Sequence, residues 1–397
     1  MVNNIIKRKV QEPILLLENC WYVSRYRDVK LVMEEENSSK DFLKWIDPDN
    51  APVGWSDSFR YKELLMAESG GVARLGFGMT DEPEHSEDLK NFIHLFSGKN
   101  IERLTSIVGN FVRDTVKENI NNKDFDLVRD LGVHVTQQLA ANLLGLPEIT
   151  TVIETVNRHA QVIIDNTMGP EWIKPYSEEH LEDFEIAKEF FVHFLTPIII
   201  DRLQNPKDDF LSNYLKSENA DVRTAGVYIV NLVCLTHTVG LGTADCLLFL
   251  ANNKDIQTQL RTQEKLTLEN IEELIRLVGH VPAVIRILKK DLTIDGVVMK
   301  KGMVVIVDLP AAGYDPEVFP NPTELDLNRS FKNSLSFGHG IHTCGGRAVG
   351  RSVLRRVLEE TLINTTDLNV TGHIKMANNG ATDYFLNIPF LLGGPRD

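Results

Sequence analysis

The residues best suited to chemistry in this chain stand together in Phe337-Gly338-His339-Gly340-Ile341-His342-Thr343-Cys344-Gly345-Gly346. Cys344 sits in a glycine-rich loop, directly before a run from Arg347 to about Leu362 that reads as a helix. A thiolate at a helix N-terminus meets the positive end of the dipole and free backbone N–H groups, which favour its anionic form. Gly338, Gly340, Gly345 and Gly346 would let the backbone pass close to a large flat ligand and donate N–H bonds to the sulfur. His342, two residues before the cysteine, could hold an anionic group of that ligand. A buried cysteine in a plain glycine turn is one alternative. A zinc site from His339, His342 and Cys344 is another, but no further Cys or His pair follows at ligand spacing.

Three other clusters carry potential chemistry. Asp81-Glu82-Pro83-Glu84-His85 opens a predicted helix through Phe96, with proline near its first turn and acids at its start. Val239-Gly240-Leu241-Gly242-Thr243 lies inside a long uncharged stretch. Each interior helix glycine costs roughly 1 kcal/mol relative to alanine, so the pair needs a reason, such as a cofactor's close approach or a bulge beside a ligand. Thr236, Gly240, Thr243 and Leu247 follow i, i+3/i+4 spacing and share a face. The Thr243 hydroxyl has the alternative of bonding back to its own helix. Glu273 and Arg276 form an i, i+3 pair, which alone is a common exposed ion pair.

The cysteine stretch fills every position of Phe-Gly-x-Gly-x-His-x-Cys-x-Gly, and so resembles the haem-binding loop of the cytochrome P-450 family. The resemblance covers the chain from about Pro13 onward, with its motifs in the family's order. It implies that Cys344 is the axial thiolate of a haem, with Phe337, Gly338 and His342 in the surrounding loop. His85 matches the family's Asp-x-Pro-x-His entry, whose histidine reaches a haem propionate. Arg286, after Val281–Ile285, stands at the second propionate-binding position. Leu89 replaces the arginine usual four residues after that histidine. Gly240 and Thr243 fit the distal pattern small-Gly-x-acid-Thr, but Gly242 occupies the place of the acid that helps relay protons to oxygen. Asp245 lies two residues beyond Thr243, roughly 200° around the helix, and is expected to point away from the haem. Glu273, Arg276 and the arginine of Asp326-Leu327-Asn328-Arg329 resemble a buried triad that latches the thiolate side and takes no part in catalysis.

These groups need a scaffold. Pro13–Leu17 and Cys20–Ser24 read as a hairpin, Asp28–Glu36 as a helix, and Asn37–Met79 as a loop-rich segment holding Trp45, Trp55, Phe59, Tyr61 and Phe77. At that place the family has a substrate-contacting loop. Helical periodicity predicts Asn100–Asn121, Leu127–Leu146, Thr150–Asp165, Ser177–Asn205 and a long central helix over Asp221–Asn253. Asn166–Tyr176 is either a mobile cover over the pocket, as the resemblance implies, or a plain inter-helix loop. Leu292–Ile294, Val297–Met299 and Met303–Val307 read as one small sheet. The tail Gly380–Leu392 alternates like strands, with a turn at Ala381–Phe385 placed to reach the pocket.

The 397 residues contain no linker or repeat, so a single domain spanning 1–397 is expected, its segment 1–12 abbreviated relative to the family. A net charge of −14 argues against a nucleic-acid surface. The four cysteines have no paired spacing, which suits a reducing cytoplasm. The N-terminal apolar run is too short for a signal or anchor. The uncharged stretch from Tyr228 to Ala244 is too interrupted by polar residues to be a membrane span, and reads as an interior helix. On so acidic a chain the row Arg347, Arg351, Arg355, with Arg356 beside it, would suit an acidic redox partner, a solvated helix face being the alternative. The resemblance therefore implies a mainly α fold with a smaller β part enclosing haem b. It also implies a cytoplasmic monooxygenase that inserts one atom of O2 into a small, mostly apolar molecule of specialised-metabolism or terpenoid type. Electrons would come from NAD(P)H through a ferredoxin-type partner. Gly242 leaves peroxide-driven or oxidative coupling chemistry as the alternative. A non-catalytic haem sensor ranks below both, because a sensor needs no distal hydroxyl such as that of Thr243.

Overall fold

The computed structural model describes residues 14–17, 20–45, 47, 80–152, 154–156, 158–160, 162, 178–216, 220, 222–281, 283–378 and 383–395. Trp55, Phe59, Tyr61 and Phe77, all of the expected cover Asn166–Tyr176, and residues 381–382 of the tail turn lie outside them.

The expected hairpin is present as β1 (Ile14–Leu17) and β2 (Cys20–Val23), followed by α1 (Tyr26–Met33) and the short β3 (Ser38–Ser39). In place of one helix through Phe96 there is α2 (Glu84–Lys90) and a separate 3-10 turn, Ile93–Phe96. Phe92 marks the break, fully buried with its ring 5.7 Å from Phe210 and 4.6 Å from Tyr228. α3 (Gly98–Glu118) starts on Ser97, whose hydroxyl accepts from the Asn100 N–H. A π-helical turn, Leu127–Gly132, leads into α4 (Val133–Leu144), which stops at Gly145 with φ 70°. After α5 (Glu178–Gln204) comes α6 (Val222–Asn252), then α7 (Leu268–Val278). Thr267 and Asn270 close a capping box at the start of α7, and Gly279 ends it at φ 64°.

By length and composition α6 could cross a membrane, but 61% of its most apolar window is buried in the fold. It packs on α4, α5, α7 and the π-turn, so its apolar surface is accounted for by helix packing.

The β part follows as β4 (Val284–Leu288), β5 (Leu292–Ile294), β6 (Val297–Met299) and β7 (Val304–Val307). The run to Val307 does not join the small sheet predicted for it. β5 and β6 pair only with each other, while β7 lies between β2 and β4 in a five-stranded sheet of order β1-β2-β7-β4-β3. Burial explains the difference. Val304, Val305 and Val307 are fully buried, as suits an interior strand, whereas Thr293 and Val298 of the hairpin face solvent. α8 (Arg347–Asn364) succeeds the cysteine loop, and β8 (Leu368–Val370), β9 (Lys375–Asn378), β10 (Asp383–Asn387) and β11 (Phe390–Leu392) close the chain as two antiparallel pairs. One apolar core lies among the helices, and a smaller one sits between the five-stranded sheet and α1.

Candidate active site

Cys344 is presented by a tightly wound loop. Gly338 and Gly340 have φ of 78° and 75°, a conformation that favours glycine. A Cβ at Gly340 would stand 2.8 Å from the Met33 carbonyl oxygen, so the loop rests directly on the end of α1. The Cys344 N–H donates to the Phe337 carbonyl at 2.8 Å, and α8 begins three residues later. Burial pushes the Cys344 thiol up. The Gly346 N–H and the charges of Lys40, Arg347 and Arg351 oppose burial without cancelling it. Burial thus outweighs the helix start and these charges. A metal ion on the sulfur reverses that balance, because a coordinating thiol is deprotonated outright.

The loop lines a cavity of about 310 Å³, a size in the range of cofactor and small-molecule sites. The structure brings Cys344, His342, Phe337, Gly338, His85, Arg286 and Gly242 together on it. Lys40 lines it as well, and no motif or spacing in the sequence marks that residue. Burial lowers Lys40 to about 7, the charge of Arg286 lowering it further and that of Cys344 opposing. Burial likewise lowers Arg286 to about 10. His342 stands edge-on to His85, ring centroids 4.6 Å apart, and is held down at about 2 by burial and then by the neighbouring Lys40 and Arg286 charges. Neither ring nitrogen of His342 has a hydrogen-bond partner among the described residues. Among those residues, too, no carboxylate pairs with Lys40 or Arg286. Two cations without a carboxylate partner among the described residues, beside the unpartnered His342 ring, fit a ligand that brings its own carboxylates, and the adjacent sulfur fits its metal. The donor set thus suits the haem that the cysteine loop implies. Lys40 offers a cation where Leu89 offers none.

α6 presents Leu235, Thr236, Thr238, Val239, Gly242 and Cys246 to the cavity. Of the expected face Thr236, Gly240, Thr243 and Leu247, Thr236 lines it, whereas Gly240, Thr243 and Leu247 do not. Gly240 instead abuts the π-turn and α4, where a Cβ would lie 2.1 Å from Thr136 Oγ1 and 2.3 Å from the Gly132 carbonyl oxygen. Its reason is a helix crossing. Thr243 is fully buried, and its hydroxyl donates to the Val239 carbonyl at 2.9 Å. Gly240→Ala is therefore expected to destabilise the fold by about 1–3 kcal/mol through overpacking against backbone. At Gly242 a Cβ meets the His280 ring, with Cδ2 at 3.2 Å, Cγ at 3.4 Å and Nε2 at 3.6 Å, and no backbone atom is among these nearest contacts, so Gly242→Ala should cost far less. Denaturant midpoints of the two variants check this contrast.

The family model for Cytochrome P450 matches residues 79–366, which include the cavity's cysteine loop, Arg286 and His85. The chain belongs to the cytochrome P450 family. Cytochrome P450(BM-1) of Priestia megaterium is 26% identical over 360 residues, covering 87% of this chain and 81% of that protein. Polyketide biosynthesis cytochrome P450 PksS of Bacillus subtilis is 24% identical over 339 residues, covering 83% and 78%. Among solved structures, epothilone D-bound cytochrome P450epoK superposes with a TM-score of 0.83 at 18% identity, covering 98% of this chain and 96% of that one. This P450 is accordingly a monooxygenase of a family that works with haem and receives electrons from redox partners.

In the P450 the expected latch is assembled. Glu273 Oε2 accepts from Arg276 Nε at 2.7 Å, and Glu273 Oε1 accepts from Arg329 Nε at 3.0 Å and from the Asp326 N–H at 3.1 Å. Arg276 also donates to the carbonyls of Gly313 and Pro322, at 2.8 and 2.7 Å. A second tie escaped the sequence reading. Glu272 accepts from Arg351 Nε at 2.5 Å, and the Arg351 guanidinium lies 4.8 Å from the Phe337 ring centroid. Arg351 therefore binds α8 to α7 and does not stand in a solvent-facing basic row, as had been expected of it. Arg355 is half-buried, and Arg347 is exposed, its side chain donating to the Cys344 carbonyl at 3.1 Å.

Proposed function

We propose that this P450 inserts one atom of O2 into a small, mostly apolar molecule of specialised metabolism, holding haem b through Cys344. The reading takes electrons from NAD(P)H through a ferredoxin-type partner that docks on the Arg347 side. It takes the chain to be one cytoplasmic domain. The observation that carries it is one cavity that the Cys344 thiol shares with the Lys40 and Arg286 cations, which have no carboxylate partner among the described residues, and with the His342 and His85 rings. The polyketide-biosynthesis relative supports the substrate class.

When bound, a thiolate-ligated haem supplies oxygen activation, with the thiolate favouring O–O cleavage. The protein's own share is binding, orientation and exclusion of water. Lys40, Arg286, His85 and His342 hold the cofactor's carboxylates. Leu235, Val239, Val281 and Leu309 give the substrate an apolar wall and keep water out. Thr243 holds the Val239 carbonyl, and so fixes the part of α6 beside Gly242.

Compounds that shift the Soret band should also stimulate oxygen uptake with a ferredoxin and its NADPH-dependent reductase. The product should carry one atom from labelled O2. Product formed without label, or only with added peroxide, would favour the second reading, oxidative coupling or peroxide-driven chemistry. The missing side chain at Gly242 is what keeps that reading open.

A further inference from the structure

The space beside Gly242 is not empty of chemistry. Gly279 turns the chain at the end of α7 through its φ of 64°, with Pro310 packed against it, and this sets His280 against α6. The His280 ring lies next to Gly242 and lines the cavity, while its Nδ1 is hydrogen-bonded to Asp245. Asp245 does not line the cavity, as expected from its position on α6, and reaches it only through this imidazole. Both side chains keep partial access to solvent, 20% for His280 and 19% for Asp245. A titratable ring thus stands at the one position where this chain lacks an acid. It is backed by the partly exposed Asp245 carboxylate.

We propose that the His280–Asp245 pair is the proton donor to the distal cavity, replacing the absent acidic side chain at Gly242. The inference rests on the monooxygenase reading above. Insertion of one oxygen atom follows RH + O2 + 2 e⁻ + 2 H⁺ → ROH + H2O, the electrons coming from the redox partner. For one of the two protons, a ring N–H bond breaks and an O–H bond of the product water forms. The bond that breaks is Nε2–H, the ring keeps the electron pair as the neutral Nδ1–H tautomer held by Asp245, and Nε2 regains its proton from solvent. Burial disfavours the charged ring, but the charge and hydrogen bond of Asp245, with the Thr238 backbone carbonyl, raise it above the ordinary histidine value. Of the other groups facing it, His237 on α6 is held at about 4 by burial and by the His280 charge, and Arg276 on α7 is neutralised by Glu273. His280 is thus a charged donor below its midpoint and loses that role as pH rises through it.

The test uses the haem-loaded protein and two readouts. In the reduced carbon monoxide complex, NMR of ring-labelled histidine should give His280 a midpoint above the ordinary value of about 6.5. Asp245→Asn should lower that midpoint by roughly 1–3 pH units. With ferredoxin, reductase and NADPH but no organic substrate, oxygen leaves as peroxide or as water, and only water formation needs the further protons. The wild-type peroxide fraction should rise as pH passes the His280 midpoint. His280→Gln should slow water formation on the order of 100-fold and remove that pH dependence. Unchanged partition and pH profile in His280→Gln, or a midpoint indifferent to Asp245→Asn, would overturn the proposal. If no variant consumes oxygen although the thiolate band of the carbon monoxide complex forms, the monooxygenase reading fails, and the relay falls with it.

Discussion

Glu273→Ala is expected to destabilise the folded P450 by about 3–5 kcal/mol, the cost of breaking a buried ion pair by removing one partner. The carboxylate is 2% exposed and serves two guanidiniums and a backbone N–H. Without it Arg276, itself 3% exposed, remains buried with its charge uncompensated between the rings of Tyr314 and Phe319. The neighbouring Glu272–Arg351 tie leads from the same helix to α8, so loss of the latch should loosen the cysteine loop too. Denaturant unfolding measures the first effect, and the haem content of purified protein measures the second. A change below about 1 kcal/mol with full haem content would place this network among ion pairs of little net worth.

Cys344→His should reduce oxygenase turnover to background while sparing the fold. An imidazole can still ligate iron, but it lacks the electron push of a thiolate that favours O–O cleavage. The loop does not rely on the sulfur for its shape, which is set by Gly338, Gly340 and the Cys344 N–H to Phe337 bond. Turnover with the ferredoxin system and the unfolding midpoint of the haem-free protein should therefore separate, the first collapsing and the second staying close to wild type. A parallel fall in both would assign Cys344 a structural role.

What could be read from the sequence was local. The cysteine loop carries its chemistry in ten consecutive residues, and the Glu273–Arg276 pair lies within one helical turn. The length of α6 showed in its uncharged run, but its roll about its axis did not. Whether Gly240 or Gly242 faces the cavity is decided by how the π-turn and α4 press on the helix, a tertiary fact with no period in the chain. The same applies to Lys40, which reaches the cavity from beyond β3, and to His280, which meets Asp245 from 35 residues away. Arg351 looked like one of a row of cations because spacing along α8 cannot reveal the glutamate on α7 that claims it. Met303–Val307 alternated too weakly to be told from its neighbours, and only burial on both faces separates β7 from the β5–β6 hairpin.

The central claim is that Cys344 is the haem's axial thiolate. The absorption spectrum of the reduced carbon monoxide complex tests it most directly, in wild type and in Cys344→Ala. The wild type should show the red-shifted Soret band that reports a thiolate ligand, and the variant should lack it at equal protein concentration. Persistence of the band in Cys344→Ala would mean that another residue ligates the iron, and would contradict the account.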